Sequence, residues 1–249
     1  MSRLLRLLTG GGFSPLSISS LSLWLDAQDN SSLTFNSSTI SAWSDKSGKG
    51  NNAAQATSSL QPQYTASIIN NRPALFFYYN ATASNLTVTD SASLNYTAFT
   101  SYVVMRPTQF LGANMHLFAK WTLTGNQREH KLPIVTGTNV LTGQGSADGS
   151  AVTNAAVSGA LSVDTNYIIE FGYSGSSLFA SVNRGTEVTA AMASIFNGTS
   201  NFFIGTRDTN TEPFAGYIGE VRFYTGLLTT GQRLANYQDL ARKWGITIS

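Results

Sequence analysis

Thirteen acidic side chains, two histidines and no cysteine are all this 249-residue chain offers for acid–base, nucleophilic or metal chemistry. Glycoside hydrolysis needs two carboxylates roughly 5–10 Å apart on one face, which on a strand shows as acids two or four residues apart. Neither E-x-D nor E-x-x-x-E occurs. Glu170 and Glu220 stand alone in predicted strands, and Glu129, Glu187 and Glu212 fall in predicted loops. His116 alternates with Met115 and Leu117 and reads as a packed or surface residue. His130, in Arg128-Glu-His-Lys131, reads as part of a solvated turn. Without cysteine there is no disulfide, thiolate or zinc–sulfur site. No G-x-S-x-G elbow supports a serine nucleophile. Ser47-Gly-Lys-Gly50 lacks the spacing of a phosphate-binding loop and reads as a turn. The chemistry-bearing residues therefore point away from an enzyme and leave no catalytic assignment.

Binding is the remaining class, and composition narrows it. Charged residues make up 11% of the chain and net charge is +2, against roughly 25% charged in ordinary soluble domains. No basic cluster is dense enough to neutralise phosphates, which excludes nucleic acid as the expected partner. The surface is built instead from Ser, Thr, Asn, Gln and Gly, which suits sugar contact or a crowded protein assembly. Fourteen Phe, ten Tyr and four Trp could supply stacking faces. Most, such as Phe76-Phe77 and Phe202-Phe203, sit beside aliphatics and read as core. Tyr78, Tyr79 and Trp121 are the aromatics expected at the surface, and hence the candidate sugar-binding residues.

The elements that must carry these residues are strands. From Leu21 onward, apolar runs are separated by Gly, Asn, Asp and Ser clusters. Strands are predicted at 21–26, 74–79, 99–106, 114–121, 166–173, 177–183, 200–206 and 214–224, with the clearest hairpin formed by 167–173 and 178–183. Repeated hairpins without interposed helices indicate antiparallel sheet. One helix is expected, over 229–244. Thr229-Thr-Gly-Gln232 is a capping box, Leu234, Tyr237, Leu240, Ala241 and Trp244 follow at helical spacing, and Gly245 ends it. Arg233, Arg242 and Lys243 should then face solvent. Residues 1–19 read as an N-terminal arm ahead of a single domain over 20–249, with Leu4, Leu5, Leu7, Leu8 and Phe13 available to dock on a neighbouring subunit. The arm's apolar stretch is split by Arg6 and runs into glycines without a cleavage site, so it does not read as a signal peptide. No stretch approaches the ~18 apolar residues of a membrane span, and no membrane insertion is expected.

Two segments carry a family resemblance. The first is Leu23-Trp-Leu-Asp-Ala27 with Ala42-Trp-Ser-Asp-Lys-Ser-Gly-Lys-Gly-Asn-Asn-Ala53 and Asn71-Arg-Pro-Ala-Leu-Phe76. The second is Phe214-Ala-Gly-Tyr-Ile-Gly-Glu-Val-Arg-Phe-Tyr224 with Leu227-Leu-Thr-Thr-Gly-Gln232 and Ala241-Arg-Lys-Trp-Gly245. Together they resemble the concanavalin A-like, laminin-G-type jelly roll, in the version found in virion proteins of tailed bacteriophages. The resemblance implies an all-β, antiparallel two-sheet jelly-roll sandwich whose first and last strands pair, with Gly216 and Gly219 allowing close approach. It implies a non-enzymatic virion structural protein, either a capsid decoration (cement) protein or a tail or fibre subunit. Its partners would be other virion proteins in a homo-oligomer, such as a trimer. The alternative is a lectin-like module that binds a host-surface glycan. Related domains sometimes bind calcium, which makes Asp26, Asp29, Asp45 and Asp208 candidate oxygen ligands. Asp45 reads more simply as a turn cap and Asp208 as a hairpin tip, so no cofactor is expected.

Overall fold

A computed structural model describes residues 12–80, 82–157, 159–208 and 211–249. The arm residues Leu4, Leu5, Leu7 and Leu8 lie outside these. The strands in chain order are β1 (Leu21–Asp26), β2 (Leu33–Asn36), β3 (Thr39–Trp43), β4 (Ala53–Ala54), β5 (Gln63–Ile69), β6 (Arg72–Phe77), β7 (Tyr79–Asn80), β8 (Thr82–Ala83) and β9 (Leu86–Val88). There follow β10 (Phe99–Pro107), β11 (Met115–Thr122), β12 (Gln127–Val135), β13 (Val140–Gly145), β14 (Thr153–Ala156) and β15 (Tyr167–Tyr173). The last are β16 (Ser177–Val182), β17 (Val188–Ala191), β18 (Phe202–Ile204) and β19 (Gly216–Tyr224), ahead of α1 (Thr230–Trp244), the one α-helix among the described residues.

All strand pairs are antiparallel, and seventeen strands share one hydrogen-bonded sheet. One stretch runs β17–β16–β15–β10–β19, with β1 and β6 side by side on the far edge of β19 and β5 beyond β6. The other runs β14–β13–β12–β11–β18–β9–β4–β3–β2. A bridge between Thr39 of β3 and Gln63 of β5 joins them, and β14 lies against β16 and β17 without pairing. The result is a nearly closed, barrel-like sheet wrapped around one core, where two separate sheets were expected.

Two apolar clusters explain the burial. The main one fills the inside of the curled sheet with Leu23, Trp43, Phe77, Phe99, Phe118, Phe171, Ile218 and Phe223 among others. The second lies on the opposite face of β10, β15 and β19, where Tyr102, Val104, Ile168 and Tyr224 meet Tyr237, Leu240 and Trp244 of α1. A strand with apolar neighbours on both faces has no reason to alternate, which is why β10 and β19 read as near-continuous apolar runs. The predicted pairing of first and last strands is present, from Leu21 opposite Tyr224 to Asp26 opposite Glu220. A Cβ at Gly219 would sit 2.5 Å from the Trp244 ring, so only glycine lets the helix lie this close.

Phe13, expected in a free docking arm, is half-buried against the second cluster with its ring 6.0 Å from the Arg222 guanidinium. Pro15 and Ile18 are buried as well. Among the described residues no helix is long and apolar enough to cross a membrane.

Candidate binding site

The local cause of the site is a bulge. Across β11 and β12, Lys120 pairs with His130 but the next pair is Trp121 with Arg128, so Glu129 has no partner in the ladder. A bulge of this kind re-aims side chains. Lys120, Glu129 and His130 turn into the core and are fully buried, whereas Trp121, Arg128, Ala119 and Lys131 face away from it. The stretch Arg128–Lys131 is thus strand, buried from Glu129 to Lys131, not the solvated turn its charges suggest. On the outward face the row continues from Lys131 to Gln144 on β13 and Asn154 on β14. The Lys131 ammonium lies over the Trp121 ring, 4.8 Å from its centroid. At the far end, Glu212 Oε2 is 3.6 Å from His116 Nδ1 and 3.0 Å from Arg207 Nη1.

This face is short of hydrogen-bond partners. Trp121 Nε1, Arg128 Nε, Gln144 Oε1 and His116 Nε2 are all buried and bonded to nothing within the protein. Glu212 Oε2 likewise accepts no hydrogen bond and is held by charge alone. Each such group costs about 1–3 kcal/mol if left unpaired. Glu212 also sits in the left-handed region, with φ of 50°, which for a non-glycine stores strain of the sort found at functional positions. Burial, reinforced by the Lys131 charge, keeps the His116 pKa well below its usual value. His116 is therefore neutral at physiological pH. With Nδ1 donating to the Glu212 carbonyl at 3.4 Å, its Nε2 is an acceptor. Burial and the Arg207 and Arg128 charges bring Lys131 down to about 8, against the pull of Glu212 and Asp208. The face thus mixes donors (Trp121, Arg128, Lys131) with acceptors (Gln144, His116), the pattern that vicinal hydroxyls match.

Of the predicted sugar-binding residues only Trp121 belongs here, and it is 2% exposed beneath Lys131 rather than open. Tyr78 is half-buried on the other outer face, tilted against Phe76 with ring centroids 6.1 Å apart and its hydroxyl donating to the Ser59 carbonyl. Tyr79 is 49% exposed beside it on β7. The two tyrosines and the tryptophan do not converge. Of the calcium candidates only Asp26 and Asp29 come together, and a cation already sits between them, because Lys46 Nζ lies 2.8 Å from Asp29 Oδ2 as well as contacting Asp26. Asp26 is held by Lys46 at 3.0 Å and Lys243 at 2.8 Å. Asp45 caps its turn by accepting from the Trp24, Ser47 and Asn51 amides. Asp208 pairs with Arg207 and Thr211. No group of three or more acids or histidines among the described residues is placed to hold a metal.

The lone acids turn out to be ion-paired. Arg233, expected in solvent, grips Glu170 bidentately at 2.8 and 2.5 Å and also contacts Glu187. These residues line a cleft of about 310 Å³ with Ser181 and Tyr237. Lys243, also expected in solvent, bonds Glu220 at 2.7 Å. Arg242 alone of the three stays exposed. Sequence reading missed Arg128, Lys131 and Gln144 because nothing in R-E-H-K or G-Q-G announces a strand, and His116, Arg207 and Glu212 because the loop after β18 meets β11 only in the folded chain.

No protein family and no curated protein matches the chain in sequence. Solved structures match its fold. Domain 4 of AbnA, an extracellular arabinanase from Geobacillus stearothermophilus, in complex with arabinotriose, gives a TM-score of 0.57 at 17% identity over 87% of this chain and 97% of that one. Botulinum neurotoxin type C, whose cell entry depends on interaction with two ganglioside molecules, gives 0.63 at 12% over 91% and 53%. Trypanosoma rangeli sialidase gives 0.61 at 11% over 89% and 33%. The chain thus spans about half of the toxin chain and a third of the sialidase. The likeness defines a class of fold alone, a β-rich, sandwich- or jelly-roll-like architecture shared with these proteins.

Proposed function

We propose that this chain is a non-catalytic glycan-binding module and that the outward face of β11, β12 and β13 around Trp121 is its sugar contact. The observation that carries the reading is the gathering of unpartnered buried donors and acceptors on that one face. A sugar's hydroxyls would satisfy them, with Lys131 moving aside to open the indole for stacking. The fold is shared with an arabinanase domain that holds arabinotriose and with a toxin that interacts with gangliosides, which supports carbohydrate as the ligand class. Pairing of Glu170 and Glu220 with arginines and a lysine supports a role without catalysis.

The setting we propose is a tailed-phage virion, with the domain in a homo-oligomer that displays this face to host-surface glycans. The resemblance carried by segments within residues 23–76 and 214–245 to phage virion domains supports it. A decoration or cement role is the second reading, and gold-labelled antibody on particles separates it from a tail location. The glycan reading is tested by arrayed and calorimetric binding. Wild type should bind a glycan saturably, while Trp121→Ala and Gln144→Ala should each weaken it at least tenfold, about 1.4 kcal/mol. Wild type that binds no glycan, or binding untouched by both changes, overturns it.

A further inference from the structure

On the inner side of the same bulge, Lys120, Glu129 and Asp90 form a reactive arrangement. The Lys120 and Glu129 side chains are fully buried. Lys120 Nζ contacts Glu129 Oε1 and lies 2.9 Å from Asp90 Oδ1. Asp90 Oδ1 nonetheless accepts no hydrogen bond. The nitrogen is thus held against the Asp90 carboxyl group as an ion pair, while it also donates to the Gly198 carbonyl at 3.0 Å. The Asp90 amide donates to Asn201 Oδ1 at 3.0 Å, fixing the loop beyond β9. The Gly198 amide donates to Glu129 Oε1 at 2.8 Å and fixes the acid. Tyr96, Phe99, Phe118 and Phe202 pack around neighbouring His130 and keep water out.

We propose that Lys120 Nζ and the Asp90 side chain condense to an intramolecular isopeptide bond, with Glu129 relaying the protons. The step is balanced without an outside reagent. Glu129 takes a proton from the Lys120 ammonium, and the freed lone pair attacks Asp90 Cγ. A C–N bond forms, one C–O bond breaks, and the oxygen leaves as water carrying the two protons lost by nitrogen. Glu129 ends as it began, and nothing is oxidised or reduced. Holding nitrogen and carbon together supplies the effective concentration that amide formation lacks in water. Burial raises the Glu129 pKa to about 7 despite the Lys120 charge, the range in which a carboxyl group both accepts and donates a proton at neutral pH. The side chain of Asp90 is 23% exposed, which gives the departing water a way out. The bond would tie the loop after β9 to β11 across intervening β18.

Intact-mass measurement of the purified full chain tests this. Wild type should be lighter than its sequence mass by one water, and fragment spectra should show a branched peptide joining residues 90 and 120. Asp90→Ala, Lys120→Arg and Glu129→Gln should each keep the full sequence mass, and boiled in detergent should migrate more slowly than wild type. Wild type at full sequence mass overturns the proposal, whether or not the variants fold. So does a lost water that maps elsewhere, such as a succinimide at Asp148-Gly149. A Glu129→Gln chain that still cross-links removes the relay role from Glu129.

Discussion

At Glu220, one buried carboxylate receives Trp24 Nε1 at 2.8 Å, Arg222 Nε at 2.7 Å, Lys243 Nζ at 2.7 Å and Trp244 Nε1 at 2.7 Å. Burial by itself would raise its pKa. The Arg222 and Lys243 charges more than reverse that and hold it at about 2. The unfolded chain would titrate near 4.5, so the carboxylate's contribution is present above that pH and is lost as pH falls towards 2. A fall from 4.5 to about 2 corresponds to about 3 kcal/mol. Urea unfolding should therefore show a lower midpoint at about pH 3 than at about pH 5, and the difference should shrink in Glu220→Gln. That substitution at neutral pH leaves Arg222 short of its main charge partner. It should cost about 3–5 kcal/mol, read as a shift in the same midpoint. The value belongs to the partners as much as to the acid, which is why a lone Glu in a strand sequence gave no hint of it.

The helix shows how an element is specified from both ends. Thr229 accepts from the Gln232 amide, Gln232 reaches back to the Thr229 amide, and Gly245 closes the helix in the left-handed region. Thr229→Ala should lower stability by about 1 kcal/mol by thermal unfolding. Gly219→Val should cost about 1–3 kcal/mol or more, because its side chain would displace Trp244 from the sheet. Helix, caps, end strands and the β15–β16 hairpin were legible because their signals are local: cap residues, spacing and turn composition. β12 was not. Its Glu-His-Lys stretch is buried only because a bulge in β12 turns Glu129 and His130 inward and lets Lys131 lie on Trp121. The candidate site inherits that blindness. Trp121 was singled out as an aromatic, but its hydrogen-bonding neighbours come from three strands and a distant loop, an arrangement no sequence spacing records.

At the scale of the whole molecule, the sequence conveyed an antiparallel β domain with paired ends but not the continuity of its sheet, which hangs on the single Thr39–Gln63 bridge. The position of β19 has a further consequence. It pairs with β10 along one edge and with β1 and β6 along the other, so strands from the beginning, middle and end of the chain depend on it. A ribosome delivers this strand after all the other described strands. Until residue 224 has left the exit tunnel, β1, β6 and β10 present open edges of the kind that invite aggregation. Such long-range pairing also folds slowly. A chain ending at residue 213 should remain protease-sensitive and lack a cooperative melting transition, and one ending at 226 should regain partial protection. A polypeptide wired this way is vulnerable throughout its own synthesis, and its yield in the cell will depend on how well chaperones shield the waiting strands.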